Sequence, residues 1–397
     1  MTQVENYNGY FNLGVNMSNN YINRYLEKPI RDDLQKKMVF ISGPRQSGKT
    51  TLAKRIADSE IKNDSQIFYL TWDSAEDREK IIRERFPSGS GIIILDEIHK
   101  YSRWRQVVKG LFDKRNNELK IIVTGSGRLD YYLRGGDSLQ GRYNFYRLYP
   151  FTLSEVKELS ENSLSRLLQL GGFPEQFLSK SEREARRWRL QYRTRIIYDD
   201  LNSLENVKDI GLLELLSSRL PELAGFPLSI NAIREDLQVS HKTAARWLDI
   251  LENLYMIFRI YPFGPPKIRA VKKESKHYHF DWTLIEDEGI RFENLIAVHL
   301  LKWVHFQEDY EGLKTELRFF RNREGKEVDF VITRNGIPTM FIECKLRNRK
   351  PNATLRYLKK HFPDSIAIQV SFYGDEDITT KDGIRLVSAS KFLMEFI

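Results

Sequence analysis

The chain has 397 residues, a formal net charge of +9 and one cysteine, Cys344. That length predicts several domains, the single thiol excludes a disulfide framework, and no apolar run approaches the ~18 residues of a membrane span. A cytoplasmic protein with no membrane partner is expected, and the positive charge is compatible with a polyanionic partner without identifying one.

Residues 1–35 read as an N-terminal arm, and residues 36–152 as a P-loop ATPase core. "MVFISGPRQSGKT" (38–50) runs from an apolar strand through G-x-x-x-x-G-K-T into a helix. In that order the backbone N–H groups of Gly43, Pro44, Arg45, Gln46, Ser47 and Gly48, proline excepted, can surround phosphates; Lys49 reaches the β and γ phosphates, and the Thr50 hydroxyl ligates Mg²⁺. Thr51 completes the nucleotide-binding stretch. ATP and Mg²⁺ are therefore the expected cofactors. A second strand, "QIFYLTWD" (66–73), precedes "GIIILDEIHK" (91–100), whose terminal Asp96 would hold the metal shell while Glu97 polarises the attacking water. "LKIIVTGSGRL" (119–129) ends at Ser126, a candidate γ-phosphate sensor with Thr124 behind it; an ordinary strand-to-loop turn reads the same way. Arg142, before a fifth strand, is either a finger toward nucleotide in a neighbouring copy, implying a homo-oligomer, or a surface arginine.

Residues 153–205 have the periodicity of a helical lid interrupted at "GGFPE" (171–175). Residues 206–275 read as a winged helix-turn-helix, with Ser240 as N-cap of the second helix. That helix would present His241, Lys242, Thr243 and Arg246, and a basic wing would add Lys267, Arg269, Lys272 and Lys273. Contact with DNA is one use of such a surface; packing between the flanking domains is the other.

Residues 276–397 open with an amphipathic helix over 286–304 that turns Phe292, Leu295, Ile296, His299 and Leu300 inward and carries Glu293 near its start. One strand is expected over Glu316–Thr333, then a hairpin turn at Asn335-Gly336 and a strand ending in Glu343, Cys344 and Lys345. The hairpin brings Asp329 beside Glu343. Alternation puts Cys344 on the opposite face from Glu343 and Lys345. Two neighbouring carboxylates are relieved by a divalent cation, and a lysine beside them can stabilise charge on a phosphate; a solvated salt bridge is the bland alternative. His277, His279 and His299 lack a paired ligand at metal-site spacing and read as structural. Seven basic residues and no acid follow over 345–360.

The motifs "GPRQSGKT", "LDEIHK", "TGSGRL", "LQGRY", "YPFTLSE" and "GGFPE" resemble AAA+ ATPases of the additional-strand P-loop class. More narrowly, they resemble a prokaryotic family with an AAA+ module, a winged helix and a C-terminal domain similar to PD-(D/E)xK nucleases. The resemblance implies an α/β fold: a P-loop AAA+ parallel-sheet domain, a helical lid, a winged helix-turn-helix and a C-terminal α/β restriction-endonuclease-like domain. It makes Asp329, Glu343-x-Lys345 and Glu293 look like a nuclease signature, the carboxylates as metal ligands and Lys345 as a catalytic group. The function it implies is ATP hydrolysis coupled to DNA engagement, with Mg²⁺-dependent cleavage by the C-terminal domain. The alternative is a nucleotide-driven regulatory switch whose nuclease-like domain only binds DNA or protein.

Overall fold

A computed structural model describes residues 21–60, 65–126, 129, 139–157, 162–179, 181–200, 209–264, 275–322, 324–347 and 350–397. In the first part of the chain, α1 (Glu27–Leu34) precedes β1 (Met38–Ser42), α2 (Lys49–Glu60), β2 (Gln66–Thr71), α3 (Ala75–Ile82), β3 (Gly91–Asp96), α4 (Trp104–Arg115), β4 (Leu119–Thr124) and β5 (Tyr143–Arg147). The strands pair in parallel in the order β2-β3-β4-β1-β5. Central strands of such a sheet are covered on both faces, so β1, β3 and β4 read as apolar runs without alternation. Register places Asp96 beside Thr124 and Thr124 beside Ile41, so the carboxyl ends of β1, β3 and β4 share one edge. α1 falls within the stretch expected as an arm, yet it buries Ile30 and Leu34 against Val39 and Ile41.

Short helices follow: α5 (Leu153–Val156), α6 (Ser163–Leu170), α7 (Pro174–Phe177), α8 (Glu182–Arg195) and α9 (Ile210–Arg219). Next come β6 (Pro227–Leu228), α10 (Ile230–Leu237), α11 (His241–Asn253), β7 (Ile257–Pro262) and β8 (Ser275–His279). Ser240 caps α11 by accepting the Thr243 N–H at 3.0 Å, and β8 pairs antiparallel with both β6 and β7.

The remainder is α12 (Glu288–Asp309), β9 (Thr315–Arg321), β10 (Glu327–Arg334), β11 (Ile337–Arg347), α13 (Ala353–His361), β12 (Ile366–Tyr373), β13 (Asp377–Thr379), β14 (Ile384–Ser388) and α14 (Ala389–Leu393). The strand expected over 316–333 is two strands, β9 and β10. They are split where Asn322 Oδ1 accepts the N–H groups of Glu324 and Lys326 and Gly325 adopts φ +78°, a turn built from side-chain-to-backbone bonds. The turn at Asn335-Gly336 forms as expected, both residues at positive φ, and β10 and β11 pair antiparallel across it. β11, β12 and β14 are parallel to one another. β7 pairs in parallel with β9 (Tyr261 opposite Arg318, Pro262 opposite Phe319), which joins the nine described strands β6 to β14 in one sheet.

One apolar core runs from Phe151 and Phe173 through Trp247 and Phe258 to Phe292, Phe330 and Phe392. Tyr149, just past β5, stacks on Phe280 at 5.3 Å, and Phe280 meets Tyr255 at 5.4 Å. α12 binds the other side of this junction: Arg147 pairs with Glu308 and Asp309, and Tyr149 shares a hydrogen bond with His305. Deeper still, Glu155 lies between Arg24 (2.8 Å) and Lys302, all three buried. Burial alone would raise the Glu155 carboxyl; Arg24 and Lys302 outweigh it and hold the group at about 2.

A carboxylate depressed in this way lends stability that is complete above its ordinary value of 4.5 and is lost as pH falls through about 2. Glu155→Gln leaves two buried cations without a counter-charge. Urea unfolding at pH 7 is expected to show a loss of about 3–5 kcal/mol, and the gap from wild type should narrow as pH drops below the carboxylate range.

Candidate functional site

The loop between β1 and α2 depends on two glycines. At Gly43, φ is +142° and a Cβ would lie 2.2 Å from the Leu148 carbonyl oxygen; at Gly48, φ is +96°. Gln46 is also left-handed, at +58°, so the loop curls tightly over Pro44, Arg45 and the buried Ser47. Lys49 begins α2 and donates to the carbonyls of Gly43 (3.0 Å) and Pro44 (2.6 Å), across the loop. Thr50 donates to Asp96 Oδ2 at 3.1 Å, while Thr51 is exposed. Tyr69 donates to the same Asp96 oxygen at 2.7 Å, and Thr124 to the other. Thr50 and Asp96 are hard oxygen donors in contact on the phosphate side of the loop. That pair fits Mg²⁺.

Glu97 sits at φ +56°, an uncommon conformation for a residue with a side chain and one that turns it away from the strand direction. Its carboxylate accepts the Ser126 N–H at 3.1 Å and the Ser126 hydroxyl at 3.4 Å, and it lies 3.6 Å from both His99 Nε2 and Lys100 Nζ. Burial lowers the His99 pKa, so this imidazole is neutral near pH 7. Gly125 makes room for it: a Cβ there would stand 2.6 Å from His99 Nδ1. Ser126, expected at the γ-phosphate, is thus seated on Glu97, and Thr124 on Asp96. Arg142 pairs with Asp113 of α4 at 2.7 Å on an exposed surface.

The C-terminal acids do come together, with one difference from expectation. Glu293 is the sixth residue of α12 and Asp287 caps the helix, so the helix N-terminus does not account for it. Tyr278 donates to Glu293 at 2.6 Å, and the buried Lys276 lies 3.7 Å from Glu293 and in contact with Glu327. Asp329 accepts the Cys344 N–H at 2.7 Å. Glu343 is buried; its Oε1 meets Lys345 and Asn352, both at 2.6 Å, while Oε2 has no hydrogen-bond partner. Burial, then Glu293 and Glu343, push the Asp329 carboxyl well above the usual range, and burial also raises Glu293 against the pull of Lys276. For Lys276, burial would lower the ammonium, but Glu293, Asp329 and Glu327 outweigh it. Among the described residues no group of three or more His, Cys, Asp or Glu side chains is arranged to hold a metal ion. Positive charge is already present among Glu293, Asp329 and Glu343: Lys345 on Glu343, as the signature expects, and the buried Lys276 beside Glu293 and Glu327, which it does not include.

Burial carries His277 and His299 down to about 4 and His279 to about 3, which keeps all three neutral, as structural imidazoles should be. Lys242 and Arg246 are exposed on α11. Lys267, Arg269, Lys272 and Lys273 lie outside the described residues. No described helix is long and apolar enough to cross a membrane.

A parallel sheet in this order, a P-loop on its first strand and an Asp-Glu pair on its third define an ATPase-type nucleotide-binding domain. Comparison with known proteins agrees. Residues 35–157 match the family model described as "AAA domain", residues 161–286 a domain of unknown function (DUF8612), and residues 288–392 another (DUF4143). The uncharacterized protein MJ1544 of Methanocaldococcus jannaschii is 23% identical over 96% of this chain and 92% of its own. The uncharacterized protein Rv2008c of Mycobacterium tuberculosis is 25% identical over 77% of this chain and 69% of its own. Among solved structures, the Walker-type ATPase PABY2304 of Pyrococcus abyssi aligns at 15% identity and TM-score 0.45, over 68% of this chain and 96% of that one. The RuvB Holliday junction branch migration motor of Thermotoga maritima aligns at 18% identity and TM-score 0.32, over 60% and 90%.

Several site residues gave no motif. Tyr69 sits in an apolar strand that hides its polar tip, and Lys276 and Tyr278 sit in SKHYH, a polar run that is buried throughout. His99 and Glu155 were within quoted motifs, and Glu155 had a readable signal, the capping box T-x-x-E beginning at Thr152. The two lysines of the acid cluster differ in a way denaturation can read. Lys276→Met strands buried carboxylates and is expected to cost about 3 kcal/mol; Lys345→Met, at a half-exposed pair, is expected to cost under about 1 kcal/mol.

Proposed function

We propose that the chain hydrolyses ATP and uses the cycle to control its engagement with DNA. The observation that carries the first half is the gathering of Lys49, Thr50, Asp96 and Glu97 at one edge of the parallel sheet, within the stretch that matches the AAA domain model. Thr50 and Asp96 would hold Mg²⁺, which when bound neutralises phosphate charge. The loop N–H groups and Lys49 orient the triphosphate, Lys49 exchanging the carbonyls of Gly43 and Pro44 for phosphate oxygens. Glu97 then leaves Ser126 to accept a proton from the attacking water. In an assembly of copies, Arg142 freed from Asp113 would reach a neighbour's nucleotide.

DNA engagement is supported by the order β6-α10-α11-β7-β8, with β8 between β6 and β7, which is the order of a winged helix-turn-helix. Lys242 and Arg246 at the exposed start of α11 are the groups we assign to phosphate contact. For the C-terminal domain we favour a non-catalytic binding module in a cytoplasmic protein, since the buried Lys276, which is no part of the nuclease signature, lies against Glu293 and Glu327. A second reading, Mg²⁺-dependent cleavage, draws on one observation: buried Glu343 Oε2 lacks a partner while Lys345 touches the other oxygen.

Glu97→Gln should keep ATP affinity and lower turnover by on the order of 100-fold or more, whereas Lys49→Ala should lose both; equal turnover in wild type and Glu97→Gln would remove Glu97 from this role. Replacing Lys242 and Arg246 together by Ala should weaken duplex binding across sequences and reduce the salt slope by about 2. Cleavage of DNA that requires Mg²⁺, stops with EDTA and disappears in Lys345→Ala would overturn the binding-module reading in favour of the nuclease.

A further inference from the structure

We propose that Arg24, far outside the P-loop motif, is a positioning residue for nucleotide binding, and that Lys302 of α12 sets it through Glu155. This rests on the ATPase reading and deepens it, since it assigns control of the phosphate cradle to the C-terminal half.

The buried Arg24 guanidinium spends its fork on three acceptors. Nη1 donates to the Ser47 carbonyl at 2.7 Å, Nη2 to the Tyr149 carbonyl, and Nε to Glu155 Oε1 at 2.8 Å. Its plane also lies 4.7 Å from the Phe151 ring centroid. A planar donor with three fixed acceptors has one orientation. Ser47 and Gly48 share a planar trans peptide, so fixing the Ser47 carbonyl toward Arg24 aims the Gly48 N–H the opposite way. In a P-loop that N–H is one of the donors that meet phosphate. Arg24 also lies against the glycine itself: a Cβ on Gly48 would be 3.3 Å from Nη1.

Glu155 is the hinge of the arrangement. Its other oxygen accepts the Thr152 N–H at 3.0 Å, closing the capping box of α5, and contacts Lys302. Lys302 is wholly buried, donates to Thr152 Oγ1 at 3.2 Å and lies 4.1 Å from the Tyr25 ring centroid. It belongs to the same helix as Glu293, nine residues apart, which is about 13 Å along the axis. A shift of α12 along its axis is thus delivered to the Ser47–Gly48 peptide through two buried ion pairs, without passing through solvent.

The experiment is calorimetric titration of the full chain with Mg²⁺ and ATPγS, with steady-state turnover and the melting temperature of each nucleotide-free variant. Arg24→Lys keeps the buried positive charge facing Glu155, so it should melt near wild type, but one ammonium cannot reproduce the fork. We expect ATPγS affinity to fall by roughly 10-fold or more, with KM raised more than kcat is lowered. Lys302→Met, which leaves Glu155 paired with Arg24, should weaken affinity by roughly 3-fold or more, while Lys391→Met, at an exposed pair with Asp375, leaves it unchanged. If Arg24→Lys does not fold, Lys302→Met decides. Wild-type affinity in folded Arg24→Lys or in Lys302→Met overturns the positioning role while Lys49→Ala still abolishes binding. If wild type and Lys49→Ala alike bind no nucleotide, the ATPase reading fails and this inference with it.

Discussion

A carboxylate buried among apolar side chains must be paired or protonated, and Glu155 is paired twice. Its two cations come from positions far apart in the chain, Arg24 before the first strand and Lys302 in α12. Neither half can be displaced without exposing an unmatched charge in a low-dielectric interior, which makes the interface between ATPase domain and C-terminal region a chemical requirement as well as an apolar one. The aromatic stack of Tyr149, Phe280 and Tyr255 supplies area at this junction; the ion pairs supply register, because charge pairs tolerate little lateral slip.

The same device recurs at the acid cluster. Lys276 is almost wholly buried, which a lysine does only when opposed charge surrounds it, and here it faces Glu293, Glu327 and Asp329. The β8 strand that carries Lys276 also carries Tyr278 and the neutral His277 and His279, so one face of a five-residue strand serves the acids while the imidazoles fill apolar space. At both places buried charge is matched by partners distant in the sequence.

Much of the first domain was legible because its signals are local. The P-loop, the Asp96-Glu97 terminus and the buried runs of β1, β3 and β4 each lie within about ten residues, and backbone chemistry at the glycines leaves them one conformation. The Asn335-Gly336 hairpin and the Ser240 cap were legible for the same reason. What stayed hidden is non-local. No spacing announces that Arg24 will meet Ser47, that Lys276 will enter a carboxylate cluster, or that Ser126 will hold Glu97. The split of β9 from β10 was missed because Arg321, Glu324 and Lys326 keep a strand-like polarity through a turn that Asn322 makes with its side chain. Alternation around Cys344 was read correctly, yet it could not show that Glu343 would be buried and Lys345 exposed on the same side of the strand.

The two parallel rungs between β7 and β9 are a small feature with a large material consequence. The matches to separate domains of unknown function meet at residues 286 to 288, but hydrogen bonding runs across that line. A fragment ending there would offer the free side of β7 to any passing strand, and a fragment starting there would offer β9. Unpaired edges of that kind recruit other chains. The sheet is therefore a seam, and a protein cut along its sequence modules would come apart into two adhesive pieces.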